Sequence, residues 1–216
     1  MSELTPEMLL RTYAAGIFPM GESGGASSLF WVDPEWRGIL PLDRFRISRR
    51  LQGKLRRKIC DVRCDTAFEQ VLRRCALRTP ERPSTWINQE ITRLYTELFH
   101  MGHAHSVECW QDDELIGGLY GVSIGGAFFG ESMFSRVTDA SKIALAHLVA
   151  RLKRGGYRLL DTQFATRHLR QFGAIEIARG EYRALLAAAL QVKAGFYLGP
   201  LEPEELEFRQ SLTQTS

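Results

Sequence analysis

Ser106-Val-Glu-Cys-Trp110, Leu115-Ile-Gly-Gly-Leu-Tyr-Gly-Val122 and Ala127-Phe-Phe-Gly-Glu-Ser-Met133 read as three β-strands, with turns at Gln111–Glu114 and Ser123–Gly126. The first run alternates and the other two are apolar runs closed by turn residues, so an antiparallel meander is expected. Immediately downstream the period changes. Leu145, Leu148, Val149 and Leu152 share one face of a helix that Asp139 is placed to cap, with Arg151, Lys153 and Arg154 in its last turn and Gly155-Gly156 as its stop. Tyr157–Thr162 follows as a buried strand, then a helical turn near His168, a strand at Ala174–Ile177 and a helix at Tyr182–Gln191. The expected class is α+β, with a mixed, mainly antiparallel sheet flanked by helices.

Upstream, Thr5-Pro-Glu7 opens a short helix carrying Met8, Leu9, Leu10 and Tyr13, and Gly16 ends it. Residues 21–28 have loop composition, and Phe30-Trp-Val-Asp-Pro34 is an aromatic strand stopped by a turn. A boundary near residue 36 separates a small N-terminal domain, 1–36, from the remainder, 37–216. From Ser48, Ile47, Leu51, Leu55 and Ile59 recur every four residues opposite Arg46, Arg49, Arg50, Lys54 and Arg57, the pattern of a basic amphipathic helix. Helices are also expected at Thr66–Arg74 and Asn88–Phe99, with a loop at 79–85.

The chain has 216 residues, 44% hydrophobic and 25% charged, which excludes disorder, collagen and coiled coil and suffices for a core without disulfides or structural metal. Its net charge of +3 conceals an uneven distribution. Eight cations and no acid lie between Arg44 and Lys58, leaving a net of −5 elsewhere. The four cysteines form no C-x-x-C pair, as suits a reducing compartment. The N-terminus does not read as a signal peptide, and no apolar run could span a bilayer, so a soluble cytoplasmic protein is expected.

The common nucleophile signatures fail. Gly130-Glu-Ser132-Met-Phe134 lacks the second glycine of a nucleophile elbow, and Cys109 has no charged activator in sequence. His100, His103 and His105 straddle a helix end and a strand start without the fixed face a metal pair needs, so no metal is expected. A meander, helix and strand are similar to the fold of acetyl-CoA-dependent N-acetyltransferases. The segment Glu131 to Lys142 nevertheless lacks the glycine-rich loop that would cradle a pyrophosphate, so coenzyme A is not expected as donor and no cofactor is called for.

Tyr13-Ala-Ala-Gly-Ile-Phe-Pro19, Phe30-Trp-Val-Asp-Pro34, Thr85-Trp-Ile87, Gly102-His-Ala-His-Ser-Val-Glu108, Gly117-Gly-Leu-Tyr-Gly121, Phe129-Gly-Glu-Ser-Met-Phe-Ser-Arg136, Ala140-Ser-Lys142 and Leu160-Asp-Thr-Gln163 occur in this order. Together they resemble the leucyl/phenylalanyl-tRNA-protein transferase family over about residues 8 to 190. The resemblance implies a small N-terminal domain and an acetyltransferase-like (GNAT-type) catalytic domain. It implies transfer of leucine or phenylalanine from aminoacyl-tRNA to the α-amino group of proteins beginning with Arg or Lys, which marks them for degradation by the N-end rule. The partners are then aminoacyl-tRNA and acceptor proteins; no membrane is involved and a monomer is expected.

By that resemblance Arg49, Arg56 and Arg57 lie where the acceptor stem docks, and Arg50 and Lys54 share their helix. Without it, a solvated helix face or a membrane-surface helix stays open. Leu119, Phe128 and Leu160 would line the aminoacyl pocket and Trp86 would stack near the terminal adenosine, although periodicity alone reads all four as core. One methylene in an apolar pocket discriminates by only about 1–3 kcal/mol, so methionine should also be accepted.

For the aminolysis, Asp161 and Gln163 stand at i and i+2 of one strand and can reach one site. The family mechanism has the aspartate polarise the glutamine, which draws the proton from the amine. A neutral amide is a very poor base, so Gln163 is read as orienting the amine, with Asp161 or the substrate's own hydroxyl handling the proton. Glu131 is the remaining carboxylate by motif, suited to the acceptor's cationic first residue; its alternative is to answer Arg136. Two departures stand out: Thr166 replaces an asparagine of many relatives, and Met20 an aromatic residue. The competing readings are an N-acyltransferase using a carrier thioester and a non-catalytic tRNA-binding domain of the same fold.

Overall fold

The computed structural model describes residues 4–21, 29–78, 84–197 and 199–210. The loops read at 21–28 and 79–85 fall almost wholly outside them. The chain opens with α1 (Pro6–Ala14), where the Thr5 side chain accepts the Met8 N–H at 3.3 Å and Leu9 and Tyr13, one turn apart, are buried. Gly16, at φ +84°, turns the chain out of the helix in a conformation that favours glycine. A two-stranded antiparallel sheet, β1 (Phe18–Gly21) with β2 (Leu29–Val32), follows.

The remaining elements are β3 (Trp36–Ile39), β4 (Arg46–Ile47), α2 (Arg49–Arg56), β5 (Asp61–Cys64), α3 (Phe68–Ala76), α4 (Gln89–His100), β6 (Ala104–Gln111), β7 (Glu114–Ile124), β8 (Ala127–Ser135), α5 (Ala140–Arg154), β9 (Leu159–Gln163), α6 (Arg167–Arg170), β10 (Ile175–Ala178), α7 (Arg179–Leu190), a 3-10 turn (Pro203–Leu206) and β11 (Arg209–Gln210). Seven strands form one mixed sheet in the order β10-β3-β9-β8-β7-β6-β5, in which only β8 and β9 run parallel. The meander β6-β7-β8 stands as read.

Strands β3 and β5 were not expected. β3 lies where a domain boundary is read, yet it pairs with both β9 and β10. A Cβ on its Gly38 would come within 2.4 Å of the Phe164 and Ala165 backbone, so only glycine admits this approach. Helices cover both faces of the sheet. Leu9, Tyr13, Leu72, Ile91, Leu94, Tyr182 and Leu186 pack with Phe129 on one face, and Leu51, Leu55, Ile143, Leu148 and Leu152 pack with Phe128 on the other. Adjacent residues of one strand thus serve opposite faces, as the period of two requires.

The capping role expected of Asp139 is not found. This residue sits at φ +76° with no side-chain cap bond; its carboxylate instead binds Lys54 at 2.7 Å and Lys142 at 2.8 Å. Burial opposes its charge, but the two ammonium groups hold its pKa below the usual carboxylate range. α3 is capped from outside: Glu108 accepts from the Thr66 and Ala67 N–H groups at 3.0 and 2.8 Å. Among the described residues no helix is long and apolar enough to cross a membrane.

Candidate active site

β8 and β9 pair only over Ala127–Phe129 and Leu159–Asp161, then part. A cavity of about 290 Å³ opens in the gap. Its apolar wall includes Leu119, Met133, Leu145, Leu148, Leu160 and Leu169, and its polar side chains include Glu131, Thr162, Gln163 and His168. It lies at the small end of the ~300–1,000 Å³ typical of ligand sites, in keeping with a single side-chain-sized occupant.

Two bulges shape this gap. Along β7, Tyr120 faces Ser132 but Gly121 faces Gly130, so Glu131 is the extra residue of β8. Along β3, Gly38 faces Gln163 but Ile39 faces Asp161, which leaves Thr162 extra in β9. A bulge re-aims side chains beyond it. Phe129 accordingly packs towards α1 and α4, whereas Met133, four residues on, packs with the α5 cluster.

The bulge presents Glu131 to three polar partners. Tyr13 donates at 2.7 Å and Gln163 Nε2 at 2.9 Å, both to Oε1, and the Tyr95 hydroxyl lies 3.1 Å from Oε2. The two tyrosine hydroxyls also bond to each other, so with Glu131 neutral the protons run from its Oε2–H to Tyr95, from Tyr95 to Tyr13 and from Tyr13 back to Oε1. Burial drives the Glu131 carboxyl up to about 8, against the pull of the Tyr13 and Tyr95 hydroxyls. The same burial, with Glu131 beside them, raises both tyrosines far above their ordinary range. Glu131 does not answer Arg136, which reaches Glu114 instead.

Asp161 joins the same cluster but is sealed into it. Arg37 Nε donates to both its oxygens at 3.0 and 3.1 Å, Arg37 Nη2 adds a bond at 2.7 Å, and Tyr182 donates at 2.5 Å. Its Oδ1 also accepts the main-chain N–H of Gln163 at 2.7 Å, holding that residue at φ +57°. A non-glycine residue costs about 1–2 kcal/mol there, which this local bond offsets. Arg37 is itself buried between the rings of Phe18 and Tyr182. Burial works against its charge, yet Asp161 outweighs burial and raises its pKa.

Of the expected pocket residues, Leu119 and Leu160 line the cavity. Phe128 does not: it is fully buried, against Phe196 and Tyr157, because β8 directs it into the α5-side core. Trp86 is half-buried against the other core cluster, outside the cavity wall, and its carbonyl lies where a Cβ on Gly21 would fall. Thr166 lines the cavity, but its hydroxyl accepts the Leu169 N–H at 3.3 Å and caps α6. Met20 lies on β1, partly buried against the core.

The cations of α2 are not equivalent. Arg49 and Arg57 are exposed, and Arg50 is 74% exposed at 4.0 Å from Asp139. Lys54 is only 15% exposed, being drawn onto Asp139, and Arg56 spans both oxygens of Glu207. The uniform cationic face expected from the helical pattern is therefore divided between free and paired groups. Arg37, Tyr13, Tyr95 and Tyr182 were all missed. The available signal was a lone arginine in an otherwise uncharged Trp36-Arg-Gly-Ile39, a charge that a central strand tolerates only with a buried acid as partner.

The same chain carries an apolar pocket with an amide–carboxyl pair in its wall and a helix with exposed cations, features that a transferase acting on an apolar group held by an anionic carrier would need. The chain belongs to the leucyl/phenylalanyl-tRNA protein transferase family: that family's model matches residues 39–187 and its N-terminal domain model residues 2–35. A leucyl/phenylalanyl-tRNA–protein transferase of Paramagnetospirillum magneticum is 60% identical over 196 residues, 91% of this chain and 94% of the relative. One from Rhodospirillum rubrum is 58% identical over 91% and 92%. A solved conserved protein from Staphylococcus epidermidis aligns at a TM-score of 0.41 and 6% identity, over 82% of this chain and 66% of that one, too distant a likeness to bear on the fold.

Proposed function

We propose that this enzyme moves leucine, phenylalanine or methionine from aminoacyl-tRNA to the α-amino group of proteins beginning with Arg or Lys, working as a cytoplasmic monomer and creating a degradation signal. The relatives' names support the donor and a protein as the acceptor. The observation that carries the reading is the Gln163–Glu131 bond in the wall of an apolar cavity the size of one side chain. The parallel β8–β9 pair joined through α5 supports the acetyltransferase-like assignment. The separate matches at 2–35 and 39–187 support the division into 1–36 and 37–216.

The aminoacyl side chain enters between Leu119, Leu145 and Leu160. The amine nitrogen attacks the ester carbonyl, an amide forms, the carbon–oxygen bond to the ribose breaks, and the amine's proton ends on the departing ribose oxygen. With Nε2 of Gln163 committed to Glu131, its Oε1 is free to accept an N–H of the incoming amine and aim the lone pair. Asp161, closed off by Arg37 and Tyr182, is a positioning residue and does not take the proton, which leaves that step to the substrate's own hydroxyl. Glu131 fixes the amide of Gln163, a role distinct from pairing with the acceptor's first side chain. Arg49 and Arg57 meet the acceptor stem, with Arg50, Arg56 and Lys54 behind them.

The test is to incubate the protein with labelled leucyl-tRNA and peptides beginning with Arg, Lys, Asp or Ala. Labelling of the Arg and Lys peptides is expected, and labelling of Asp peptides in their place would overturn the acceptor assignment. Dependence on coenzyme A would favour the thioester reading, and tRNA binding without transfer the non-catalytic one.

A further inference from the structure

A second, larger hollow of about 840 Å³ lies between α2, the start of α5 and the end of α6. Arg46, Arg50, Lys142 and Arg170 line it, with Asp139 as the one acid among its described lining residues. That carboxylate is shared between Lys142 and Lys54, so it cannot neutralise the group. Arg46 and Arg170 are exposed; Arg170 bonds Glu176, an exposed pair that a stronger anion would displace. The N-termini of α2 and α5 open on the same space, adding the positive ends of two helices.

Two elements wall both hollows. On α5, Lys142 lines the basic groove while Leu145 lines the reaction pocket one turn on. On α6, His168 and Leu169 line the pocket while Arg170, with Gln171 just past the helix end, lines the groove. A strand whose last nucleoside carried its ester into the pocket would thus lay its preceding phosphates along the groove. Resting on the proposed function, we infer that this groove binds the phosphodiester backbone of the single-stranded CCA end of the donor tRNA, through Arg46, Lys142 and Arg170. The exposed face of α2, with Arg49 and Arg57, is left to the duplex stem. Phosphate contacts of this kind position the strand without reading its sequence.

The test measures fluorescence anisotropy with a labelled RNA hairpin ending in single-stranded CCA and the same hairpin cut back to a blunt end. The native chain should bind the overhang form roughly tenfold more tightly, and the preference should shrink as salt rises. Arg46→Gln with Arg170→Gln should reduce the preference to about twofold or less, while Arg57→Gln weakens both hairpins alike. A double variant that keeps the full preference, or a native chain without one, overturns the groove. The readings fail separately: overhang preference without leucyl transfer sinks the reaction alone, and transfer without that preference sinks the groove alone.

Discussion

Gln163 Nε2 lies 2.9 Å from Glu131 Oε1, across the gap where two parallel strands part. The bond fixes which end of the amide faces the pocket, and the roles of its neighbours follow from it.

Gln163→Ala should lower kcat of leucyl transfer about 100-fold, within the range for a lost proton-handling or orienting group, while KM for leucyl-tRNA stays within about threefold. Steady-state kinetics with an Arg-initiated peptide decide this. Near-native turnover would remove the side chain from the mechanism.

Glu131→Gln should change the dependence of stability on pH. The Glu131 carboxyl rises on folding from 4.5 to about 8, so below pH 4.5 it is protonated in both states. As pH climbs towards 8 the folded state resists ionisation and stability is lost, by up to several kcal/mol. Urea midpoints from pH 5 to 8.5 should therefore fall more steeply for the native chain than for the variant. Parallel curves would mean that Glu131 is not held neutral.

Removing the Tyr13 hydroxyl takes one donor from Glu131. Tyr13→Phe should cost about 1–2 kcal/mol and push the carboxyl higher still, since that hydroxyl lowers its pKa. The loss of stability with rising pH should then extend to higher pH than in the native chain, as urea midpoints would show. An unchanged span with a lowered melting temperature would reduce Tyr13 to packing.

Asp161→Ala leaves Arg37 buried without its partner, at a cost of about 3–5 kcal/mol. The paired change Arg37→Met with Asp161→Leu should recover most of the melting temperature but not turnover, because Gln163 loses the acceptor for its main-chain N–H. Recovery of both would deny Asp161 its positioning role.

Legibility of the sequence followed the length and purity of each pattern. α1, α4 and the meander stood out because cap residues and apolar periods agree, as at Thr5 with Leu9 and Tyr13, or Asn88 with Ile91 and Tyr95. β3 was hidden because four residues containing Arg37 and Gly38 have no period to read. Leu119 and Leu160 follow their strands' alternation and reach the cavity. Phe128 alternates onto the same face but is covered by Tyr157 and Phe196, contacts that no local pattern shows. Lys54 reads as one free cation among several until Asp139, 85 positions away, is seen beside it.

The ties that close this centre are long: 118 positions separate Tyr13 from Glu131, and 124 separate Arg37 from Asp161. Synthesis lays down the first partners early and the last ones three-quarters of the way along. If Gln163 orients the amine as proposed, a product ending before it carries α1 and its tyrosine without that group, and one ending before Tyr182 still lacks a donor to Asp161, so both should fail in a leucyl-transfer assay.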